Sequence, residues 1–340
     1  MKVLVTGSAG FIGGYLVEEL LSKGYSVVGL DNLSKYGDVT RTFEEAPNYN
    51  FVTGDATDVE LLKNLMQDVD HVVAGAALIG GISYFHTYAY DLLAKNERIM
   101  AATCDAAIST FKSGKQLKKV TYLSSSMVYE STNFWPSVEG DQQRIAPPIS
   151  SYGFQKLAVE YFAKAAWDQY QLPYTIVRPF NCVGIGERRA KGDVEIKSGN
   201  VKLAMSHVVP DLVQKILRGQ NPVHVLGDGQ QVRHYTYGGD LAKGIVMAME
   251  SDAAFNEDFN LSTSESTTVE ELVKLIWNKI KPDAQLEIVN DPGFTHDVMK
   301  RIPATSKAKE ILGFEATTTL SQMLDIVIPW IATAIEQDLI

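Results

Sequence analysis

Short apolar runs alternate with stretches of helical periodicity through the first half of the chain. "KVLVTG" predicts a strand from Lys2, "FIGGYLVEELLSKG" a helix stopping at Gly24, and "YSVVGLD" a second strand. "NFVTGD", "HVVAGAA" and "KKVTYLSSS" predict three more strands, with helices over "DVELLKNLMQ" and from about Tyr88 to Phe111. A helix containing "SSYGFQKLAVEYF" and a strand over "PYTIVRPFN" follow. These strands lack polar alternation, and strands of that kind separated by helices predict a parallel sheet covered on both faces. The fold class is therefore α/β, a doubly wound parallel sheet.

From about Asn181 the pattern loosens. "GIGERRAKGDVEIKSGN" is polar and predicts a long loop, a length at which loops are often lids or binding segments. A helix over "VVPDLVQKILRGQ", a short strand over "PVHVLG" and a helix-rich remainder predict a smaller α/β lobe. The division expected is 1–180 for the sheet domain and 181–340 mainly for a substrate-binding lobe, with some segments returning to the first. No internal repeat is visible.

"VTGSAGFIGG" places Gly7, Gly10 and Gly13 three apart after a strand and at the opening of a helix. Glycines there permit a tight turn and close approach of backbone to a pyrophosphate, whose charge the helix N-terminus stabilises. A lone glycine motif is weak, but an acidic residue, Asp31, also ends the second strand, where it would accept the adenosine ribose hydroxyls. Its carboxylate would repel a 2′-phosphate and no arginine stands beside it in sequence, which favours NAD over NADP. Phe11, Ile12 and Asn32 border these positions and join the expected cofactor set. The sheet is then of Rossmann type.

Tyr152 and Lys156 lie four apart and so project from one face of their helix. An ammonium beside a phenol favours the phenolate, so Tyr152 could act as a base near neutral pH. Ser125, in "YLSSSMVYE" at a strand end, could hydrogen-bond the same substrate oxygen. Each feature alone is common. Their order, cradle, acid, serine, then pair, carries the reading.

Composition narrows the partners. Of 340 residues 45% are hydrophobic and 21% charged, with a net charge of −10, which argues against nucleic acid or an anionic membrane as a main partner. Only Cys104 and Cys182 occur, so no disulfide framework or metal-type cysteine spacing exists. The first residues run straight into a strand pattern and no apolar stretch reaches a membrane span, so a cytoplasmic location is expected.

On these motifs the chain resembles the extended short-chain dehydrogenase/reductase family, specifically its nucleotide-sugar epimerases and dehydratases. The resemblance runs essentially end to end. It implies that Asp55 and Ala56 in "GDATD" contact adenine, that "AGAALIGG" with Ala74 and Ala76 lies along the nicotinamide half of NAD, and that Asn96 supports the cofactor. It implies Asn181 in "RPFNCVG" and Arg233 in "VLGDGQQVRHYTYGGDLA" on the substrate diphosphate, and Arg301 in "DVMKRIPATSKAKEILGF" on the nucleotide. It also implies a homodimer, with the helix ending near Phe111 and the Tyr152 helix forming a two-fold four-helix bundle.

Departures from the family pattern narrow the reaction. Dehydrating relatives carry an Asp-Glu pair directly after the catalytic Ser or Thr, where this chain has Ser126 and Met127. Neither can abstract a carbon-bound proton. Met127 also replaces the glutamate of decarboxylating relatives and the cysteine of 3,5-epimerases. Chemistry confined to C4 is favoured: a nucleotide-sugar 4-epimerase acting through a 4-keto sugar, with a 4-dehydrogenase, or a dehydratase or decarboxylase of the same family, as the alternative. Ser126 joins the expected substrate set. A dinucleotide-binding regulator without turnover is the competing class, but such relatives lose the tyrosine or lysine.

The six histidines show no metal-ligand spacing, no metal is expected, and most read as surface or capping residues. His86, beyond the nicotinamide segment in "GGISYFHTY", is a candidate for touching the sugar. Arg188 and Arg189 would reach phosphate or ribose if their loop closes over the site. Cys182 reads as an inert buried thiol. "GGIS" hints at GDP over UDP, without fixing the base.

Overall fold

The computed structural model describes residues 1–39, 41–79, 88–188, 196–198, 201–203, 207–293 and 298–340. His86, "GGIS", Arg189 and His296 lie outside them.

The first lobe opens with β1 (Lys2–Thr6), α1 (Phe11–Ser22), β2 (Ser26–Asp31), β3 (Tyr49–Thr53), α2 (Val59–Leu65) and β4 (His71–Ala74). It continues through α3 (Ala89–Lys112), β5 (Lys119–Leu123), α4 (Ser151–Tyr170) and β6 (Tyr174–Pro179). After β7 (Cys182–Val183) come β8 (Ile196–Ser198), β9 (Val201–Leu203), α5 (Val208–Leu217), β10 (Val223–Leu226), β11 (Val232–Arg233) and β12 (Thr236–Tyr237). The remainder holds α6 (Gly238–Glu250), β13 (Glu257–Leu261), β14 (Thr267–Thr268), α7 (Val269–Ile280), β15 (Ile288–Asp291) and α8 (Leu320–Glu336).

The central sheet has seven strands in the order β3-β2-β1-β4-β5-β6-β13, all parallel. The missing polar alternation has a direct cause. Successive residues of a strand point to opposite faces, and both faces are covered. Leu4 packs with α2, α3 and α4 residues such as Leu62, Ile99 and Val159. Its neighbours Val3 and Val5 pack with Leu16 and Leu20 of α1 and Leu241 of α6 on the other side.

A separate apolar core in the second lobe joins α5, α7, α8 and β10. The chain then crosses back: α6 covers the large sheet and β13 becomes its seventh strand, although "EDFNL" carries no strand pattern strong enough to read in advance. Backbone pairing with β6 and burial of Phe259 and Leu261 decide that strand. The long-loop expectation after Gly184 is corrected in part. Within it β8 and β9 pair antiparallel, so backbone groups of this polar stretch are satisfied by strand pairing.

Among the described histidines, His71 and His234 are buried, whereas His207 and His224 are partly exposed. Among the described residues no helix is long and apolar enough to cross a membrane.

Candidate active site

The carboxyl ends of the parallel strands open into one cleft of about 450 Å³ that runs on to the second lobe. At its first end the turn between β1 and α1 is built for close contact. Gly7 has φ +78°, and a Cβ there would lie 2.9 Å from the Ala76 backbone. A Cβ at Gly13 would run into the Gly7 carbonyl oxygen. Gly10 precedes α1 without a side-chain cap, and the first turn of α1 holds no acidic residue. The leading N–H groups are thus left for an anion, which fits a dinucleotide pyrophosphate. Gly7, Gly10, Phe11, Ile12 and Gly13 all line this end.

Asp31 holds the turn itself, its carboxylate accepting from Ala9 N at 3.1 Å and from Leu33 N at 2.8 Å. Arg41 also lies against the turn, donating to the carbonyls of Ala9 (3.0 Å) and Gly10 (3.3 Å). No arginine was expected near Asp31. Nine residues of chain between Asp31 and Arg41 hid the approach of Arg41 to the turn that Asp31 holds. Arg188 stands beside Arg41, and burial together with that second cation pulls the Arg41 pKa down.

Asn32, Asp55 and Ala56 line the cleft next to Asp31. Burial pushes the Asp55 carboxyl up, but hydrogen bonds from Lys95 and Thr57 outweigh it and hold it at about 2. Lys95 is a site residue sequence reasoning missed; it meets Asp55 at 2.8 Å from a distant helix. Ala76 lines the cleft, whereas Ala74 and Asn96 do not. Asn96 acts one layer back. Its amide oxygen accepts from Leu78 N at 2.6 Å and its amide nitrogen donates to Leu78 O at 2.9 Å, fixing the segment after β4 along the cleft.

The middle of the cleft holds Ser125, Ser126, Met127, Tyr152 and Lys156. Ser150 caps α4, accepting from Gly153 N, and Glu130 in turn accepts from Ser150 N and Oγ. That cap sets the first turn of the helix and hence the Tyr152 position. Burial raises the Tyr152 pKa, while a hydrogen bond with Ser125 and the positive charge of Arg301 pull it down. Lys156 Nζ donates to the Leu123 carbonyl at 2.8 Å, and burial lowers its own pKa to about 8. One helical turn places the two residues on one face, Lys156 reaches the end of β5, and Arg301, far along the chain, brings its charge to the phenol.

Beyond Tyr152, Asn181, Arg233 and Arg301 line the cleft. Asn181 takes φ +36° and donates to His234 O at 3.2 Å, which ties β7 to the strand pair of the second lobe. The charges of Arg233 and Arg301 both act on Tyr235, a buried phenol whose hydroxyl has no hydrogen-bond partner among the described residues. The two guanidiniums therefore converge on one polar spot, suited to a doubly anionic group. Cys182 is buried and its thiol pKa is pushed up by burial, so it stays protonated. Past the arginines the cleft ends at α5, whose lining residues Asp211 and Lys215 carried no recognisable motif in the sequence, and at Leu226 of β10 and Gln231 before β11.

Residues 3–262 match the model of the NAD dependent epimerase/dehydratase family. A putative UDP-glucose 4-epimerase of Methanocaldococcus jannaschii is 30% identical over 330 residues, covering 96% of this chain and 97% of that protein. UDP-glucuronic acid decarboxylase 4 of Arabidopsis thaliana is 27% identical, covering 96% of this chain and 68% of that one. Among solved structures, the UDP-glucose 4-epimerase of Thermotoga maritima with UDP-glucose superposes with a TM-score of 0.81 at 28% identity, covering 98% of this chain and 100% of that one. The chain belongs to the NAD dependent epimerase/dehydratase family, and NAD is its cofactor.

Proposed function

We propose that the protein is a nucleotide-sugar 4-epimerase that oxidises and re-reduces C4 of a hexose attached to a UDP- or GDP-type carrier. The observation supporting this reading is the arrangement around Tyr152. Ser125 and Tyr152 are hydrogen-bonded to each other, while the position beside them is Met127, a thioether without an exchangeable proton. Glu130, the nearest glutamate in sequence, is turned away to cap α4. The described middle of the cleft thus offers one acid-base centre. That is enough for proton transfer at a single hydroxyl and too little for removing a carbon-bound proton as well.

Bound NAD supplies the hydride acceptor and donor. Tyr152 takes the O4 proton as the sugar is oxidised and returns it when the 4-keto sugar is reduced. Ser125 holds the same oxygen. Lys156 anchors the end of β5 through Leu123 O and keeps a positive charge beside the reacting groups below about pH 8. Arg233, Arg301 and Asn181 would hold the diphosphate, so that the ring can turn about its tether while the carrier stays fixed. Release of the keto sugar instead of its return would make the same residues a 4-dehydrogenase.

Incubation with a panel of UDP- and GDP-hexoses tests the reading. Interconversion of C4 isomers without net NADH supports it. Stoichiometric NADH formation would replace it with the dehydrogenase. Tyr152→Phe is expected to lower turnover by about a thousandfold or more while NAD stays bound, and turnover near the parent level would remove Tyr152 from the reaction.

α3 and α4 pack side by side and leave Tyr90, Phe154 and Tyr161 exposed on the outside of the first lobe. Such a face supports the homodimer expected from the resemblance, with α3 and α4 of two copies forming a four-helix bundle.

A further inference from the structure

Residues 299–304 lie between the two lobes and hydrogen-bond to both. On one side Val232 of β11 donates its N–H to Met299 O at 2.8 Å and accepts from Arg301 N at 3.1 Å. On the other side Ser137, in the segment between β5 and α4, donates to Ile302 O and accepts from Ala304 N, each at 2.8 Å. Val232 thus makes a parallel bridge with Lys300, and Ser137 makes one with Pro303. Both edges of this short stretch are held, and Arg301 stands in the middle of it.

Two side chains complete the attachment. Trp135 Nε1 donates to Lys300 O at 3.1 Å, while the Lys300 ammonium lies over the indole ring, 5.3 Å from its centroid. The residue immediately before Arg301 is gripped by backbone and side chain together. Asn260 on β13 is fully buried and donates from Nδ2 to Ser137 O at 3.1 Å and to Ala304 O at 3.3 Å. Its Oδ1 accepts from Tyr129 Oη at 3.0 Å. Tyr129 ends the short turn Ser126–Tyr129 that Ser125 caps. One amide therefore joins the serine turn, the Ser137 segment and the Arg301 stretch.

Arg301 lines the cleft with Tyr152 and Arg233, and its charge acts on the Tyr152 phenol. Ser125 meets the same phenol by a hydrogen bond, and Lys156 sends its Nζ to Leu123 O. The influence of a guanidinium on a neighbouring phenol falls with distance, so it depends on how firmly the backbone carrying that guanidinium is fixed. Resting on the nucleotide-sugar reading above, we propose that residues 299–304 form a strap between the lobes that seats Arg301 beside Tyr152, with Trp135 and Asn260 as positioning residues acting through it. Neither Trp135 nor Asn260 lines the cleft. The strap links the grip on the carrier diphosphate to the acid-base centre, because one guanidinium serves both.

Titration of the Tyr152 phenol in NAD-loaded protein tests the strap. Tyrosine carrying 13C at Cζ reports each phenol by NMR, and loss of one signal in Tyr152→Phe identifies the residue. Trp135→Phe keeps a ring under Lys300 and removes the N–H. It is expected to loosen Arg301, to raise the midpoint of the Tyr152 titration by about half a pH unit or more, and to raise KM for the nucleotide sugar by about three- to tenfold. NAD affinity should not change. Asn260→Leu should act in the same direction and more strongly. In an Arg301→Met background neither substitution should move the midpoint further, a result that a merely structural role would not give. An unmoved midpoint in Trp135→Phe, or equal shifts with Arg301 removed, overturns the proposal. Trp135 is partly exposed, so its variant decides the matter even if Asn260→Leu does not fold. A shifted midpoint in a protein that turns over no nucleotide sugar would keep the strap and remove the nucleotide-sugar reading.

Discussion

Arg178 on β6 donates to both carboxylate oxygens of Glu160 on α4, at 2.7 Å from Nε and 2.8 Å from Nη2, and both side chains are buried. Ser124 Oγ also reaches Glu160 at 2.7 Å, and Arg178 continues to Asp258 on β13 at 2.6 Å. The pair fastens the back of the catalytic helix to two strands of the sheet. Position of Tyr152 on its front face depends on that fastening.

Breaking the pair on one side should be costly. Arg178→Met leaves the Glu160 carboxylate buried without its cation, an arrangement that typically costs about 3–5 kcal/mol. Urea denaturation of parent and variant measures the difference. The double variant Arg178→Met with Glu160→Met should recover much of the loss, because a buried pair replaced by apolar side chains is often close to neutral. A single-variant loss below about 1 kcal/mol would contradict the role given to the pair.

Asn96 is expected to act on cofactor affinity without touching the chemistry. Its two bonds to Leu78 hold the backbone that borders the cleft after β4. Asn96→Ala should weaken NAD binding by roughly tenfold or more, in line with the loss of buried hydrogen bonds. The turnover number at saturating NAD should change far less. Equilibrium dialysis with NAD and steady-state rates separate the two, and an unchanged dissociation constant would place the clamp outside cofactor binding.

His71 predicts an acid limb of stability. Burial, reinforced by Lys119 and Lys118, lowers its pKa from 6.5 to about 4. The unfolded chain then binds a proton that the folded chain refuses. Stability from this group is complete above pH 6.5, declines as pH falls toward about 4, and amounts to about 3 kcal/mol across that window. His71→Leu removes the titration. Between pH 7 and pH 4 the variant should therefore gain about that much relative to the parent in urea melts, on top of the carboxylate effects common to both. Parallel stability profiles for the two proteins would show that His71 titrates normally.

The dimer face can be tested at Tyr161, which is 64% exposed on α4. Tyr161→Glu adds a charge where two copies would bury an aromatic side chain, and should shift a dimer toward monomer by tenfold or more in dissociation constant, on the order of 2 kcal/mol. Sedimentation equilibrium reads the shift. A parent that is monomeric at micromolar concentration would remove the proposed bundle.

Local pattern settled much of this protein in advance. Apolar runs without alternation specify strands buried on both faces, and Gly7 and Gly13 specify a turn that leaves no room for a Cβ. Tyr152 and Lys156 were legible because helical spacing is a local rule. Tertiary structure decided what depends on residues brought together from far along the chain. Arg301 brings its charge to the Tyr152 phenol, and Arg41 folds back onto the glycine turn. β13 joins the sheet because β6 offers it a free edge, although its own residues alternate too weakly to announce a strand. Spacing along a helix or strand is written in neighbouring residues, whereas desolvation and charge coupling arise from whatever the completed fold places alongside.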